Sequence, residues 1–269
     1  MLAAAPEFVG RLGGTDRATL DAWKAATNQD RSSMATAAGR TAGFASALTL
    51  APNPADASAY ALNSTGVQIS DVATDLNGIA RPTTVPAGAP DLGAYEFTPT
   101  VEPNPLEVTG TYAPGGTQLF FFNGRPVASI TYGTAGTLPT TLTARYSPGA
   151  VLPPPYTPAT TPRFANATYR FTDSGGGAGF SYTLVLNYEP ALLGTILSEA
   201  AQRVSLRNAA GTGYGTYFGT LVNTVARTLD AQYPMTRFGL FAISDQSAPL
   251  PVELARFEAV REGADAALS

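Results

Sequence analysis

The chain has 269 residues, of which 44% are hydrophobic and only 13% charged, so it can form a substantial core. It contains no cysteine and no histidine, which excludes disulfides, thiolate or imidazole metal ligands, histidine bases and Ser-His or Cys-His nucleophiles within these residues. The net charge is −4 and the arginines are scattered, which argues against nucleic-acid binding. No apolar run approaches the ~18 residues of a membrane span.

Residues 1–97 are rich in alanine and short of β periodicity, with one helix predicted near 16–27. Thr15 is the expected N-cap, and Leu20 and Trp23 fall on one face of the helix. Short segments separated by proline, asparagine and aspartate follow. This pattern is typical of a solenoid or a sandwich.

Residues 98–106 contain three prolines, which favour an extended, stiff linker between two domains. Residues 107–246 then predict a β-sandwich of seven to nine short strands. The clearest strand lies within 180–189, where apolar and polar residues alternate with period two. Asn123-Gly124 predicts a tight hairpin turn, because both positions tolerate positive φ.

Residues 247–269 are interpreted as a linker and the first strand of a further domain. The run from Val252 to Phe257 alternates like an edge strand, and a lone strand cannot satisfy its own hydrogen-bonding groups. We therefore expect the chain to be part of a longer protein, whose neighbouring domains would be its partners.

Several motifs resemble those of a known class of surface proteins. The run Leu20 to Asp30 is similar to one near the end of pectate-lyase-like, right-handed parallel β-helices of Bacteroidota, although Asn28 stands where that pattern has glycine. Asp71 to Arg81, followed by Pro90 to Phe97 (PDLGAYEF), resembles the closing signature of the same proteins. The resemblance implies that residues 1–97 form the last rungs of a parallel β-helix.

The later segments resemble other modules of these proteins. The strands between Thr168 and Ile243 are similar to an accessory, immunoglobulin-like antiparallel β-sandwich. The run Leu250 to Phe257 resembles the lead-in to an immunoglobulin- or fibronectin-like module associated with type IX secretion. The expected fold class is therefore all-β, with terminal β-helix rungs followed by this sandwich. The expected location is extracellular or on the outer-membrane surface.

Two groups of residues are candidates for ligand binding. Asp71 and Asp75, followed by Asn77-Gly78, offer hard oxygen ligands for calcium, but their spacing misses the D-x-D-x-D-G pattern. The alternative is a turn in which these side chains accept hydrogen bonds from their own backbone. Tyr156, inside a proline-rich loop, is the candidate for stacking on a sugar. No other cofactor is expected.

Asp91 and Glu96 could be proposed as a glycosidase pair, but five residues along a strand would put them on opposite faces. We therefore expect no catalysis. The favoured hypothesis is a non-catalytic structural adaptor that spaces or presents an upstream β-helix. The alternatives are a carbohydrate-binding or adhesive module, with extracellular polysaccharide or cell-surface components as partners, and the tail of a polysaccharide-degrading enzyme.

Overall fold

The computed structural model describes residues 10–28, 43–46, 48–150, 163–211, 213–217 and 219–246, together with the backbone of 259–262 and 265–268. Two sequence predictions fall outside these residues: the binding role of Tyr156 and the strand from Val252 to Phe257.

The first described segment is a small hairpin followed by one helix. Strands β1 (Gly10–Leu12) and β2 (Thr15–Arg17) pair antiparallel, and α1 spans Leu20–Thr27. The helix predicted near 16–27 therefore begins later than expected, because Thr15–Arg17 is paired as a strand. Its N-cap is Thr19, whose hydroxyl accepts the amide of Ala22 at 3.1 Å.

Residues 48–106 are built mainly from turns. They include two short 3₁₀ helices, Ala57–Ala61 and Val85–Ala87, and the isolated antiparallel bridge between Thr74 and Ala80. Among the described residues of 1–97, no parallel strand pair occurs, so the expected β-helix rungs are not shown. Prolines recur throughout this segment, and each one removes an amide that a strand ladder would need.

The remaining strands form two antiparallel sheets and a separate hairpin. The six-stranded sheet has the order β11-β12-β8-β5-β4-β3 and the five-stranded sheet the order β10-β9-β13-β7-β6. The strands are β3 (Glu107–Gly110), β4 (Thr117–Phe122), β5 (Arg125–Tyr132), β6 (Thr141–Pro148), β7 (Phe164–Ser174), β8 (Tyr182–Asn187), β9 (Gln202–Arg207), β10 (Tyr214–Tyr217), β11 (Leu221–Asn223), β12 (Thr228–Asp230) and β13 (Leu240–Asp245). The hairpin pairs β14 (Ala259–Glu262) with β15 (Asp265–Leu268).

The two sheets share one hydrophobic core, which gives a sandwich-like, all-β architecture. On β8 the side chains of Tyr182, Leu184 and Leu186 are buried, as the alternating pattern predicts. Aromatic rings join the sheets: Phe120 of β4 meets Phe171 of β7 edge to face, with their centroids 5.4 Å apart. The predicted all-β class and the antiparallel pairing are confirmed.

The predicted hairpin turn at Asn123-Gly124 is confirmed. Asn123 and Gly124 adopt φ values of 51° and 73° between β4 and β5, as the hairpin signal requires. A 3₁₀ helix at Pro190–Leu192 follows β8. Strands β3 and β10 to β12 were not predicted, because each has only three or four residues.

The Phe120–Phe171 contact predicts measurable coupling between the sheets. A double-mutant cycle of Phe120→Leu and Phe171→Leu, read by urea unfolding, should give an interaction energy of about 0.5–1.5 kcal/mol. Phe120→Leu combined with Val225→Ala, at a residue that is 94% exposed, is the additive control. Additivity of the two Phe substitutions would contradict face-to-face packing of the sheets.

Candidate functional site

The PDLGAYEF signature and the loop before it supply three acidic side chains and one arginine, here called the carboxylate cluster (Asp75, Arg81, Asp91 and Glu96). The side chain of Asp75 stabilises the turn that follows it by accepting backbone amides. Its Oδ1 accepts the amides of Asn77 and Ile79, both at 2.8 Å, and its Oδ2 accepts the amide of Glu96 at 2.9 Å. The amide of Glu96, followed by those of Ile79 and Asn77, lowers the pKa of Asp75.

Asp91 is buried and connects two distant stretches of backbone. Its Oδ1 accepts the amide of Ser64, and its Oδ2 accepts the amide of Phe97, both at 2.7 Å. Only 4% of the residue is exposed. Burial raises the pKa of Asp91 overall, although the two amides and the charge of Arg81 act in the opposite direction.

Glu96 and Arg81 complete the cluster. Glu96 Oε1 accepts the amide of Asp91 at 3.1 Å and lies 3.4 Å from Arg81 Nε. Arg81 Nη2 also donates to the carbonyl of Gly93 at 2.5 Å. Burial, together with the negative charge of Asp91, raises the pKa of Glu96. Every carboxylate of the cluster thus accepts backbone amides, so the signature holds loops together in this structure.

The geometry bears on the sequence candidates in three ways. Asp75 forms the turn that was the alternative to a calcium loop, while Asp71 is exposed and accepts the hydroxyl of Ser70 at 3.2 Å. No group of three or more acidic side chains placed to hold a metal occurs in the described part of the chain. The expectation that Asp91 and Glu96 lie on opposite faces of a strand is wrong, because residues 91–97 are not a strand but bend at 92–94, and the two side chains share the cluster.

Residues 48–97, here called the loop segment, carry the cluster and are hydrogen-bonded to residues at the ends of the sheets. Asn63 Nδ2 donates to the carbonyl of Pro148 at 2.8 Å, in a buried position. Gln68 Nε2 donates to the carbonyl of Ala191 at 2.9 Å. In the other direction, Asn123 Nδ2 donates to the carbonyl of Ala61 at 2.9 Å.

The proline-rich residues 98–106 are also held on both sides. The amide of Thr100 donates to the carbonyl of Pro54 at 2.8 Å, on the loop segment. On the sheet side, Arg145 Nε donates to the carbonyl of Pro103 at 3.0 Å, and Arg170 Nη1 donates to Glu102 Oε1 at 2.6 Å. These contacts connect the linker to both of its neighbours.

A groove of about 520 Å³ lies where the loop segment meets the sheets. Its polar lining comprises Ser64, Thr65, Arg125, Tyr146, Asn187, Glu189 and Arg227, and its apolar lining includes Val67, Leu92, Phe122, Val127 and Leu192. Sequence reasoning did not find this groove, because its residues come from separate segments with no shared motif. The only local signal was the Asn123-Gly124 turn, which places Phe122 and Arg125 at one end of a hairpin.

No family model, curated protein or solved structure matches the chain. Among the described residues, no helix is both long and apolar enough to cross a membrane.

The cluster predicts opposite pH dependence for two similar substitutions. Because the pKa of Asp75 is lowered below 3.8, its contribution to stability is present above that pH and lost as the pH falls through the lowered value. Because the pKa of Asp91 is raised above 3.8, its contribution is full below pH 3.8 and is lost as the pH rises through the raised value.

The free-energy cost of Asp75→Asn should therefore grow between pH 3 and pH 7, whereas the cost of Asp91→Asn should shrink. Urea unfolding of both variants against the unmodified chain measures this. The exposed Asp71→Asn removes the same formal charge and corrects for general charge effects. Costs that change in the same direction for Asp75 and Asp91 would contradict the assignment.

Proposed function

We propose that this chain is a non-catalytic structural adaptor of a secreted or cell-surface multidomain protein, which spaces or presents a module that precedes it. Its acidic signature residues bind the main chain: both oxygens of Asp75 and both oxygens of Asp91 accept backbone amides, and Oε1 of Glu96 accepts one. A catalytic acid or base needs an oxygen free to reach a substrate. This use of the carboxylates is the observation that carries the proposal.

A rigid joint is the property that such an adaptor needs. Domains connected only by a flexible chain move independently by default. Here the loop segment reaches the sheets through side chains of both parts, such as Asn63 and Asn123, and the linker is held through Arg145. These hydrogen bonds support a fixed orientation of whatever precedes the sheets.

The finer parts of the proposal rest on the sequence resemblance. They are that the preceding module is a pectate-lyase-like parallel β-helix, that the two sheets are an immunoglobulin-like accessory sandwich, and that the protein reaches the extracellular space or the outer-membrane surface by type IX secretion. Low charge, absence of cysteine and a core shared by two antiparallel sheets are compatible with this account.

The proposal predicts a narrow distance distribution between the loop segment and the sheets. The chain has no native cysteine, so Leu76→Cys and Leu221→Cys, both at exposed positions, can carry spin labels specifically. Pulsed electron paramagnetic resonance should give a label-to-label distance distribution with one narrow peak. Combining Asn63→Ala with Gln68→Ala should broaden it, because two of the connecting hydrogen bonds are lost, whereas Asp71→Ala should not.

Two outcomes would overturn the proposal. A broad distribution in the otherwise unmodified chain would show that the parts move independently. Cleavage of a polysaccharide by the purified chain, abolished by Glu96→Gln, would make the cluster catalytic.

A further inference from the structure

The groove exists because two neighbouring strands of the six-stranded sheet separate at its end. The β5–β8 ladder runs only as far as the pair Ala128 and Leu186. Beyond it, Asn187 pairs with Thr228 of β12, while β5 continues toward Arg125 beside β4. Val127 and Asn187 therefore flank a gap in the sheet, and both line the groove.

The floor of this gap is polar and firmly held. Tyr146 is only 3% exposed, and its ring centroid lies 5.0 Å from that of Tyr169. The Tyr169 hydroxyl in turn donates to the carbonyl of Asn187 at 2.6 Å. The ring of Phe122 packs edge to face on Tyr146 at 5.1 Å, which provides an aromatic wall.

The charged side chains of the lining leave an excess of positive charge. They are two arginines, Arg125 and Arg227, and one glutamate, Glu189. Arg125 Nη1 lies 3.4 Å from Glu189 Oε1, in a half-exposed pair. Because Arg125 pairs with Glu189, the guanidinium of Arg227 leaves the groove with a net positive charge, which favours an anionic ligand.

Arg227 occupies a backbone conformation that favours glycine. Its φ is 56°, in the left-handed region, and its carbonyl accepts the amide of Tyr188 at 3.0 Å. Glycine or asparagine at this turn position would avoid the steric cost of a left-handed backbone. The chain instead places a long cationic side chain here, at the rim of the groove.

We infer that this groove binds a small organic monoanion, a carboxylate carried on a compact ring. The volume falls within the range of small-molecule sites, the guanidinium of Arg227 would take the carboxylate, and the wall formed by Phe122 and Val127 would take the ring. The inference goes beyond the adaptor role and does not depend on it.

The test uses the full chain and three probes in saturation-transfer NMR titrations. Phenylacetate carries a carboxylate on an apolar ring, glucuronate carries one on a hydroxylated ring, and 2-phenylethanol is the neutral match to phenylacetate. At least one carboxylate probe should bind, and its binding should weaken as salt is raised. The carboxylate probe with the higher affinity identifies the ring type, which is apolar for phenylacetate and hydroxylated for glucuronate. The neutral probe should bind at least tenfold more weakly than phenylacetate if phenylacetate is the ligand.

Substitutions in one turn separate a charge effect from a folding effect. Arg227→Gly keeps the left-handed backbone without strain, so the fold should be retained while affinity for the carboxylate probe falls about tenfold or more. Arg227→Lys should retain part of the affinity, because it keeps the charge but loses the planar guanidinium. Val225→Ala, in the same turn, is the matched control and should bind unchanged.

Three outcomes would overturn the inference. They are no saturation transfer to either carboxylate probe, as expected if another part of the chain fills the groove; equal binding of 2-phenylethanol and phenylacetate when phenylacetate is the stronger carboxylate probe; and unchanged affinity in a folded Arg227→Gly variant.

Discussion

Much of this structure depends on buried carboxylates that accept backbone amides. A segment of turns cannot satisfy its amides in a ladder, and an unpaired buried amide costs about 1–3 kcal/mol. Within residues 64–97, Asp75 and Asp91 accept five backbone amides between them, in part-buried hydrogen bonds. Arg81 offsets part of their charge. The loop segment is thereby ordered enough to present Asn63 and other side chains to the sheets.

The sequence anticipated the sheets better than the loops, for a physical reason. A strand that buries one face must alternate, so the strand within 180–189 is visible in the pattern, and the Asn123-Gly124 turn is visible because few residues adopt positive φ. The helix start was misplaced, since the pairing of Thr15–Arg17 with a strand across a Gly-Gly turn overrode its local capping signal. The parallel rungs that the resemblance implied for residues 1–97 are not shown among the described residues of that segment, where the pairs are antiparallel.

The candidate sites could also be predicted only where their contacts are local in the sequence. The turn around Asp75 could be anticipated, because aspartate accepts amides two residues along the chain. The role of Asp91 could not, since its partner amide on Ser64 lies 27 residues away. The groove could not be predicted from the sequence either, because Arg125 and Arg227, which both line it, are about a hundred residues apart in the chain. An adaptor joint and a ligand groove can coexist here, because the cluster and the groove use different side chains.

The most direct test of the central claim is amide hydrogen exchange, resolved by residue, in Asp91→Asn. If the carboxylate holds the loops together, exchange should accelerate at Ser64 and Phe97, whose amides it accepts, and should stay slow in the buried strand β8. Unchanged protection at both amides would contradict the account, since it would mean that the backbone is ordered without this carboxylate.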